Sequence, residues 1–395
     1  MIGGRSMSYN FDAVHDRMGS DCLKWEKQVK FGQPSGLLPF WIADTDFATL
    51  PEAVEAMAKR LEHPLFGYTF TGPRTLETVR GWYARRHGVE LPIEAFLPSL
   101  GVVTAMWFSI RALTKPGDQV LAFTPVYDPF FAIIENQGRV LADCPLTYED
   151  GRYDIDWADF EAKLKGGVRA VLFCNPANPV GRVWPAQDVE RVVRLCKQYG
   201  AYLLSDEIHG DIVLYGNKYT SAAKFKDEYD RIIVYTAVSK TFNLAGLHSS
   251  CMLIPNLELK QLQDKTMREA WLMGPNSLAN GAIEACYTYG DRYVDELNAY
   301  LTESAQLVID YLGERAPQIG VVKPEGTYLM WLDCRRLGLT SQEMTDRLVR
   351  EEGLAIGSGA GYGRNAEGFL RFNIGCPRAT LTQGLEKIAR FANHV

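Results

Sequence analysis

Tyr235-Thr-Ala-Val-Ser-Lys-Thr-Phe-Asn-Leu-Ala-Gly-Leu247 is the stretch of this chain whose reading decides the fold. Its lysine, Lys240, comes shortly after the apolar run 232–235 and stands among small residues. A lysine held at the end of a buried strand is partly desolvated. It then loses its proton more readily than an exposed one, and its free amine can form a Schiff base with an aldehyde. Taken alone, Ser239-Lys-Thr-Phe242 is a site hypothesis, because a lysine near a strand end is ordinarily solvated.

Two upstream segments sharpen the reading. Cys174-Asn-Pro-Ala-Asn-Pro-Val-Gly181 follows the apolar run 170–173 and turns a strand end with two prolines. Ser205-Asp-Glu-Ile-His209 follows the strand-like run 201–204 and sets a carboxylate at another carboxyl-terminal strand edge, where open α/β sheets bind ligands. In isolation Asp206 would serve as a helix cap and Asn178 as a turn residue. In this order and spacing, the three motifs converge on one rim.

Outward from these motifs, residues 119–254 alternate apolar runs (120–123, 170–173, 201–204, 232–235, 251–254) with amphipathic ones, the rhythm of a mostly parallel sheet covered by helices. Between them, residues 187–199 place Val189, Val192, Val193 and Cys196 at helical spacing, a core-facing stripe. After about residue 285 the pattern changes to a long polar helix over 293–312, then strand-like 327–332 and 370–374 separated by a helical stretch, which reads as a separate α+β domain. Gly357-Ser-Gly-Ala-Gly-Tyr-Gly363 reads as a flexible loop near the substrate. It lacks the Lys-Ser/Thr and the strand-to-helix setting of a nucleotide cradle.

The 395 residues, 47% of them hydrophobic, suffice for more than one domain with a sizeable core. A formal charge of −6 with no basic run argues against nucleic acid or an anionic membrane as partner. Met1-Ile-Gly-Gly-Arg-Ser-Met7 has no apolar core of the kind a secretory signal needs, and Met7 is itself a candidate start. No stretch approaches the roughly 20 apolar residues of a membrane span, so a cytoplasmic protein is expected. Eight cysteines, at 22, 144, 174, 196, 251, 286, 334 and 376, show no Cys-x-x-Cys spacing. Buried free thiols are expected, with no metal site.

The chain resembles the pyridoxal-phosphate enzymes of the aspartate aminotransferase fold and, among them, the cystathionine β-lyase-like C–S lyases of the MalY/PatB class. The residues that carry the resemblance span nearly the whole chain: Asn10-Phe-Asp with Asp16-Arg17, Phe40-Trp-Ile-Ala-Asp-Thr-Asp-Phe47, Phe66-Gly-Tyr-Thr69, Thr124-Pro-Val-Tyr-Asp-Pro-Phe130, Asn178-Pro-Val-Gly-Arg-Val-Trp184, Ser205-Asp-Glu-Ile-His209, Ser239-Lys-Thr-Phe-Asn243 and Phe369-Leu-Arg-Phe-Asn-Ile-Gly-Cys-Pro-Arg378. The lysine motif identifies the fold; the Trp-Ile-Ala-Asp, Pro-Val-Tyr-Asp-Pro-Phe and Glu-Ile-His elements favour the lyase subgroup. The resemblance implies an α/β protein: a large domain, 50–285, around a mostly parallel seven-stranded sheet, and a smaller α+β domain made of 1–49 and 286–395.

The resemblance also implies site roles. Pyridoxal 5'-phosphate would be held on Lys240, with Asp206 against its ring nitrogen, since the ring is an electron sink only while that nitrogen stays protonated. Asn178 would donate to the ring's 3-oxygen, with His209 beside the same region. Tyr127 would stack on the ring face and is counted with Lys240 and Asp206 as catalytic. The backbone amides of Val102 and Val103, at an expected helix start, would hold the phosphate, and Ser239 is counted among the cofactor-binding residues. His248 replaces an arginine that many relatives carry eight residues after the lysine. Tyr68 would reach the phosphate and substrate of a second subunit, which implies a homodimer with shared sites. Arg371 would clamp the substrate α-carboxylate by two parallel hydrogen bonds, with the Ala43 backbone and Asn178 alongside. Ala177 and Thr45 stand where relatives often have histidine and methionine.

The reaction these residues imply begins with loss of the Cα proton to the freed lysine amine. A thiolate-type leaving group on Cβ then gives a β-lyase acting on L-cystathionine or related cysteine S-conjugates. Reprotonation at the cofactor carbon gives an aminotransferase instead. A regulatory protein that keeps the fold without turnover would have lost Lys240 or Asp206, and both are present.

Overall fold

The computed structural model describes residues 9–30, 36–272 and 274–395. The start at Met1 and the reading of Met7 lie outside them. Fourteen strands are described. In chain order they are β1 (Leu38–Phe40), β2 (Phe96–Ser99), β3 (Gln119–Thr124), β4 (Val140–Pro145), β5 (Thr147–Glu149), β6 (Arg152–Asp154), β7 (Ala170–Cys174), β8 (Tyr202–Asp206), β9 (Ile232–Thr236), β10 (Ser250–Leu253), β11 (Gly320–Val322), β12 (Leu329–Asp333), β13 (Leu354–Ser358) and β14 (Phe369–Asn373).

Seven of them form the large sheet expected of this α/β chain, in the order β2-β10-β9-β8-β7-β3-β4. The pairs β3–β4, β3–β7, β7–β8 and β8–β9 are parallel, and β10 alone runs against both its neighbours, β9 and β2. Every residue of β7 and β9 is buried, which accounts for their unbroken apolar runs: a parallel strand covered on both faces has no polar side. The period-2 alternation of side chains divides each strand between two cores. Val120, Ala122, Ala170 and Leu172 pack with Met106 and Ile110 of the helix Val102–Leu113. Leu121, Phe123, Val171 and Phe173 pack on the other face with Val189, Val192, Val193 and Cys196 of the helix Ala186–Tyr199, the stripe legible in the sequence.

A second, five-stranded sheet has the order β1-β13-β14-β12-β11, with β1 parallel to β13 and the remaining pairs antiparallel. The pairing of β1 with β13 joins the N-terminal segment to the C-terminal third. The helix Arg378–Asn393 lies against this sheet, and Gly384 is needed there because a Cβ would stand 2.6 Å from the Phe40 ring. The helix Asp291–Arg315 is not polar all round: Val294, Leu297, Leu301, Val308 and Leu312 form a buried face.

The glycine-rich run at 357–363 departs from the loop expected of it. Gly357 and Ser358 end β13, and Gly359–Tyr362 forms a 3₁₀ turn. Its glycines reflect close backbone approach: a Cβ on Gly359 would meet the carbonyls of Ala366 and Phe369. All eight cysteines are free and buried.

Candidate active site

Strand order decides where the candidate residues meet. Since β10 is antiparallel to β9 and β2, the carboxyl ends of β2, β9, β8, β7 and β3 share one rim with the amino end of β10. Along that rim, in sheet order, come Val102 and Val103 after β2, His248 before β10, Ser239 and Lys240 after β9, Asp206 and His209 at and after β8, Asn178 after β7, and Tyr127 after β3. Two residues of the five-stranded sheet's side, Ala43 and Arg371, face them, and a cleft of about 850 Å³ lies between. Lys240, Tyr127, Arg371, Ala43 and His248 line it together with Trp41, Asp44, Asp128 and Tyr362. Asn178, Asp206, His209, Ser239, Val102 and Val103 are not part of its lining.

Lys240 sits in the one-turn helix Val238–Thr241, and its Nζ donates to the Ala43 carbonyl at 2.7 Å. Burial pulls its ammonium down to about 8; Asp44 and Asp206 oppose that shift, and Arg371 adds to it. Asp206, at the end of β8, is pushed up to about 7, chiefly by burial. One oxygen accepts from the Ile208 amide at 3.2 Å, a weak counterweight. His209 is held neutral, down to about 3, by burial and by the charges of Lys240 and Arg371. Its Nδ1 is buried without a hydrogen-bond partner, a costly state for a polar nitrogen unless a ligand completes it.

Arg371, in the middle of β14, is 4% exposed and points across the cleft. It donates to the Asn178 side-chain oxygen at 3.2 Å and to the Trp41 carbonyl at 2.8 Å, and its Nε is buried without a partner. The Tyr362 ring lies 5.1 Å from its guanidinium carbon. Tyr127 keeps its phenolic proton, its pKa raised to about 12 mainly by burial. Val102 and Val103 open the helix Val102–Leu113, whose first-turn amides have no intrahelical acceptors. The preceding Gly101 amide is bonded to the Ser250 hydroxyl at 2.9 Å. His248 adopts a left-handed backbone, φ 45°, at the cleft wall.

Tyr68 is the one candidate that the single chain leaves away from the cleft. It is fully exposed and lines a separate groove with Phe70, Leu97 and Met267.

Several supporting residues escaped the sequence reading. The segment carrying Ala43 is fastened from both sides: Arg17 donates to both oxygens of Asp44, and Lys24 bridges to Asp46 at 2.7 Å. From across the cleft Asn243 donates to the Thr45 and Phe47 carbonyls, and on the same side as Ala43 the β14 residue Asn373 donates to those of Ile42 and Asp44. Behind Lys240, Asp211 accepts from Thr241, His87 and Trp82, donors that hold its carboxyl below the ordinary range against the upward pull of its burial. Glu207, next to Asp206, is buried yet satisfied by Ser205, Tyr219, Ser221 and the Ala222 amide. Asp44, Glu207 and Thr241 lie within the motifs read from the sequence but carried no role there; nothing local marks His87 or Lys24.

Residues 37–388 match the family model described as aminotransferase class I and II. The curated cystathionine beta-lyase PatB of Bacillus subtilis (strain 168) is 39% identical over 382 residues, 96% of this chain and 98% of the relative. Among solved structures, a PLP-bound putative aminotransferase from Clostridium difficile 630 is 35% identical with a TM-score of 0.94, covering 98% of this chain and 100% of its own. A PLP-bound C-S lyase from Staphylococcus hominis is 30% identical with a TM-score of 0.90, covering 98% and 99% respectively.

Proposed function

The chain belongs to the aminotransferase class I and II family, and on that premise we propose that it is a pyridoxal-phosphate-dependent carbon–sulfur lyase. It takes L-cystathionine or related cysteine S-conjugates, with one water, to a thiol, pyruvate and ammonia. The observation that carries the cofactor is the convergence of Lys240, Asp206 and the unsatisfied His209 Nδ1 at one rim. A buried carboxyl with a single backbone donor suits a ring N–H, and an orphan imidazole nitrogen suits the ring's oxygen edge. The choice of elimination rests on the resemblance to the Bacillus and Staphylococcus lyases.

When bound, the cofactor supplies an electron sink conjugated with the substrate Cα. Asp206 would hold the proton at the ring nitrogen, Asn178 and His209 would serve the ring's oxygen edge, and Tyr127 would stack on the ring. The Val102 and Val103 amides would hold the phosphate, with Ser239 and His248 among the residues that would bind the cofactor. Arg371 fixes the α-carboxylate, with the Ala43 backbone and Asn178 alongside. The Lys240 amine takes the proton from Cα and, as an ammonium, stands ready to return it to the departing sulfur.

The same residues serve a second reading, an amino-acid aminotransferase, which the 35% identity to the Clostridium protein favours. Coupled pyruvate detection with L-cystathionine, run beside amino exchange between an amino acid and a keto acid, separates them. Pyruvate at background with ready exchange would sink the lyase reading.

The working assembly is a homodimer. Leu65, Phe66, Tyr68 and Phe70 are each more than half exposed in one short stretch, an apolar strip that a second copy would cover. Tyr68 then serves the partner's cleft. The chain divides into a large domain, 50–285, and a small one of 1–49 and 286–395, a division supported by the way the strands of the two larger sheets sort between these ranges. A cytoplasmic location is supported by eight unpaired buried thiols. Among the described residues no helix is long and apolar enough to cross a membrane.

A further inference from the structure

Asp128 lines the same cleft as Lys240 and Arg371; burial raises its carboxyl, and the Arg371 charge opposes that without an ion pair or hydrogen bond between them. Arg371 donates to Asn178 and the Trp41 carbonyl and not to Asp128, and Asp44 is taken by Arg17 through both oxygens. Among the described residues, no side chain donates to the Asp128 carboxylate or forms an ion pair with it; its own backbone N–H is its hydrogen-bond donor. It does not cap the helix Pro129–Glu135 that it precedes. It shares the cleft lining with Tyr127 and Tyr362, and its charge helps to raise both of their hydroxyls.

Once a substrate's α-carboxylate occupies Arg371, that guanidinium no longer offsets Asp128, which is left as negative charge in the cleft that holds the rest of the substrate. Leu23, Trp41, Ile42 and Ile356 contribute apolar wall to the same cleft. An arm that fits is a short methylene chain ending in a cation.

We infer that Asp128 is a specificity-determining residue that selects cysteine S-conjugates whose sulfur substituent carries a distal ammonium, over neutral substituents of the same length. This rests on the lyase reading above and deepens it. The amino group of a cystathionine-type leaving arm meets the requirement, and so does a simple aminoalkyl arm.

The test compares S-(2-aminoethyl)-L-cysteine with S-propyl-L-cysteine, which differ by an ammonium in place of a methyl. Wild-type kcat/KM should favour the aminoethyl conjugate by roughly three- to tenfold, the range for a partly solvated ion pair, and the preference should contract with added salt. Asp128→Asn should bring the ratio to about one, and Asp128→Lys should invert it. In parallel, calorimetric titration of both conjugates into the Lys240→Ala holoenzyme, with and without Asp128→Asn, reads the same preference without turnover. A ratio unchanged by Asp128→Asn in both measurements overturns the inference. An equal loss on both conjugates also overturns it, since Asp128 would then act through Arg371. Absence of pyruvate from either conjugate with wild-type enzyme is a failure of the lyase reading instead, and the calorimetric arm still decides Asp128.

Discussion

The Arg371 guanidinium donates to the Asn178 side-chain oxygen at 3.2 Å, tying β14 of the five-stranded sheet to the turn after β7 of the seven-stranded one. The residue proposed to grip the substrate is therefore held by a residue proposed to touch the cofactor. Asn178 thereby fixes one edge of the guanidinium plane.

Arg371→Lys should lower kcat/KM by about 10- to 100-fold, mostly through KM, because a point charge cannot reproduce a two-pronged contact worth about 1.5–3 kcal/mol. Arg371→Leu should lose more. Steady-state kinetics on one S-conjugate checks both; a change confined to kcat would count against a carboxylate clamp.

The depressed Lys240 gives a pH signature. Only the neutral amine attacks an aldehyde, so uptake of pyridoxal phosphate by apoprotein should accelerate as pH rises through about 8 and then level off. Asp44 raises this ammonium's pKa, so Asp44→Asn should move the rise to lower pH. Stopped-flow absorbance across pH reads the midpoint, and a shift upward in Asp44→Asn would contradict the assignment.

Much of this site was legible because its residues sit at strand ends that announce themselves as apolar runs. Lys240, Asp206 and Asn178 each follow such a run, and the parallel rhythm of 119–254 placed them on one edge. β2 and β4 were missed: β2 contains Pro98, and β4 has Asp143 and only partial burial, so neither shows a continuous apolar stretch. β1, β11 and β13 are short or glycine-bearing strands whose partners lie far along the chain, and local pattern carries no trace of that pairing. Lys24 and His87 were invisible for the same reason, and Arg17 was quoted only as part of the resemblance: long-range contacts alone give all three their roles.

Shared sites predict complementation. Lys240→Ala and Tyr68→Ala homodimers should each be nearly inactive, and mixing them under conditions of subunit exchange should restore up to about a quarter of wild-type activity, since random pairing gives half hybrids with one intact site each. No recovery despite demonstrated exchange would argue against a borrowed Tyr68.

Asp46 offers a stability test away from the chemistry. It is 6% exposed and accepts from Lys24, Arg17 and Trp25. Asp46→Ala strands the buried Lys24 ammonium without its counterion and should cost about 3–5 kcal/mol. Urea unfolding of the apoprotein measures it; a cost under about 1 kcal/mol would mean that the Asp44 carbonyl, which also accepts from Lys24 at 3.1 Å, suffices alone.

The Ala43 carbonyl accepts twice, from Lys240 at 2.7 Å and from the Tyr328 hydroxyl at 3.2 Å. Carbonyl oxygen has two lone pairs, so the lysine can swing away without orphaning the group it leaves behind. The arrangement is a mooring rather than an anchor: Tyr328 keeps the berth occupied while the amine travels, so each departure and return of Lys240 during turnover escapes the desolvation penalty of an abandoned buried acceptor.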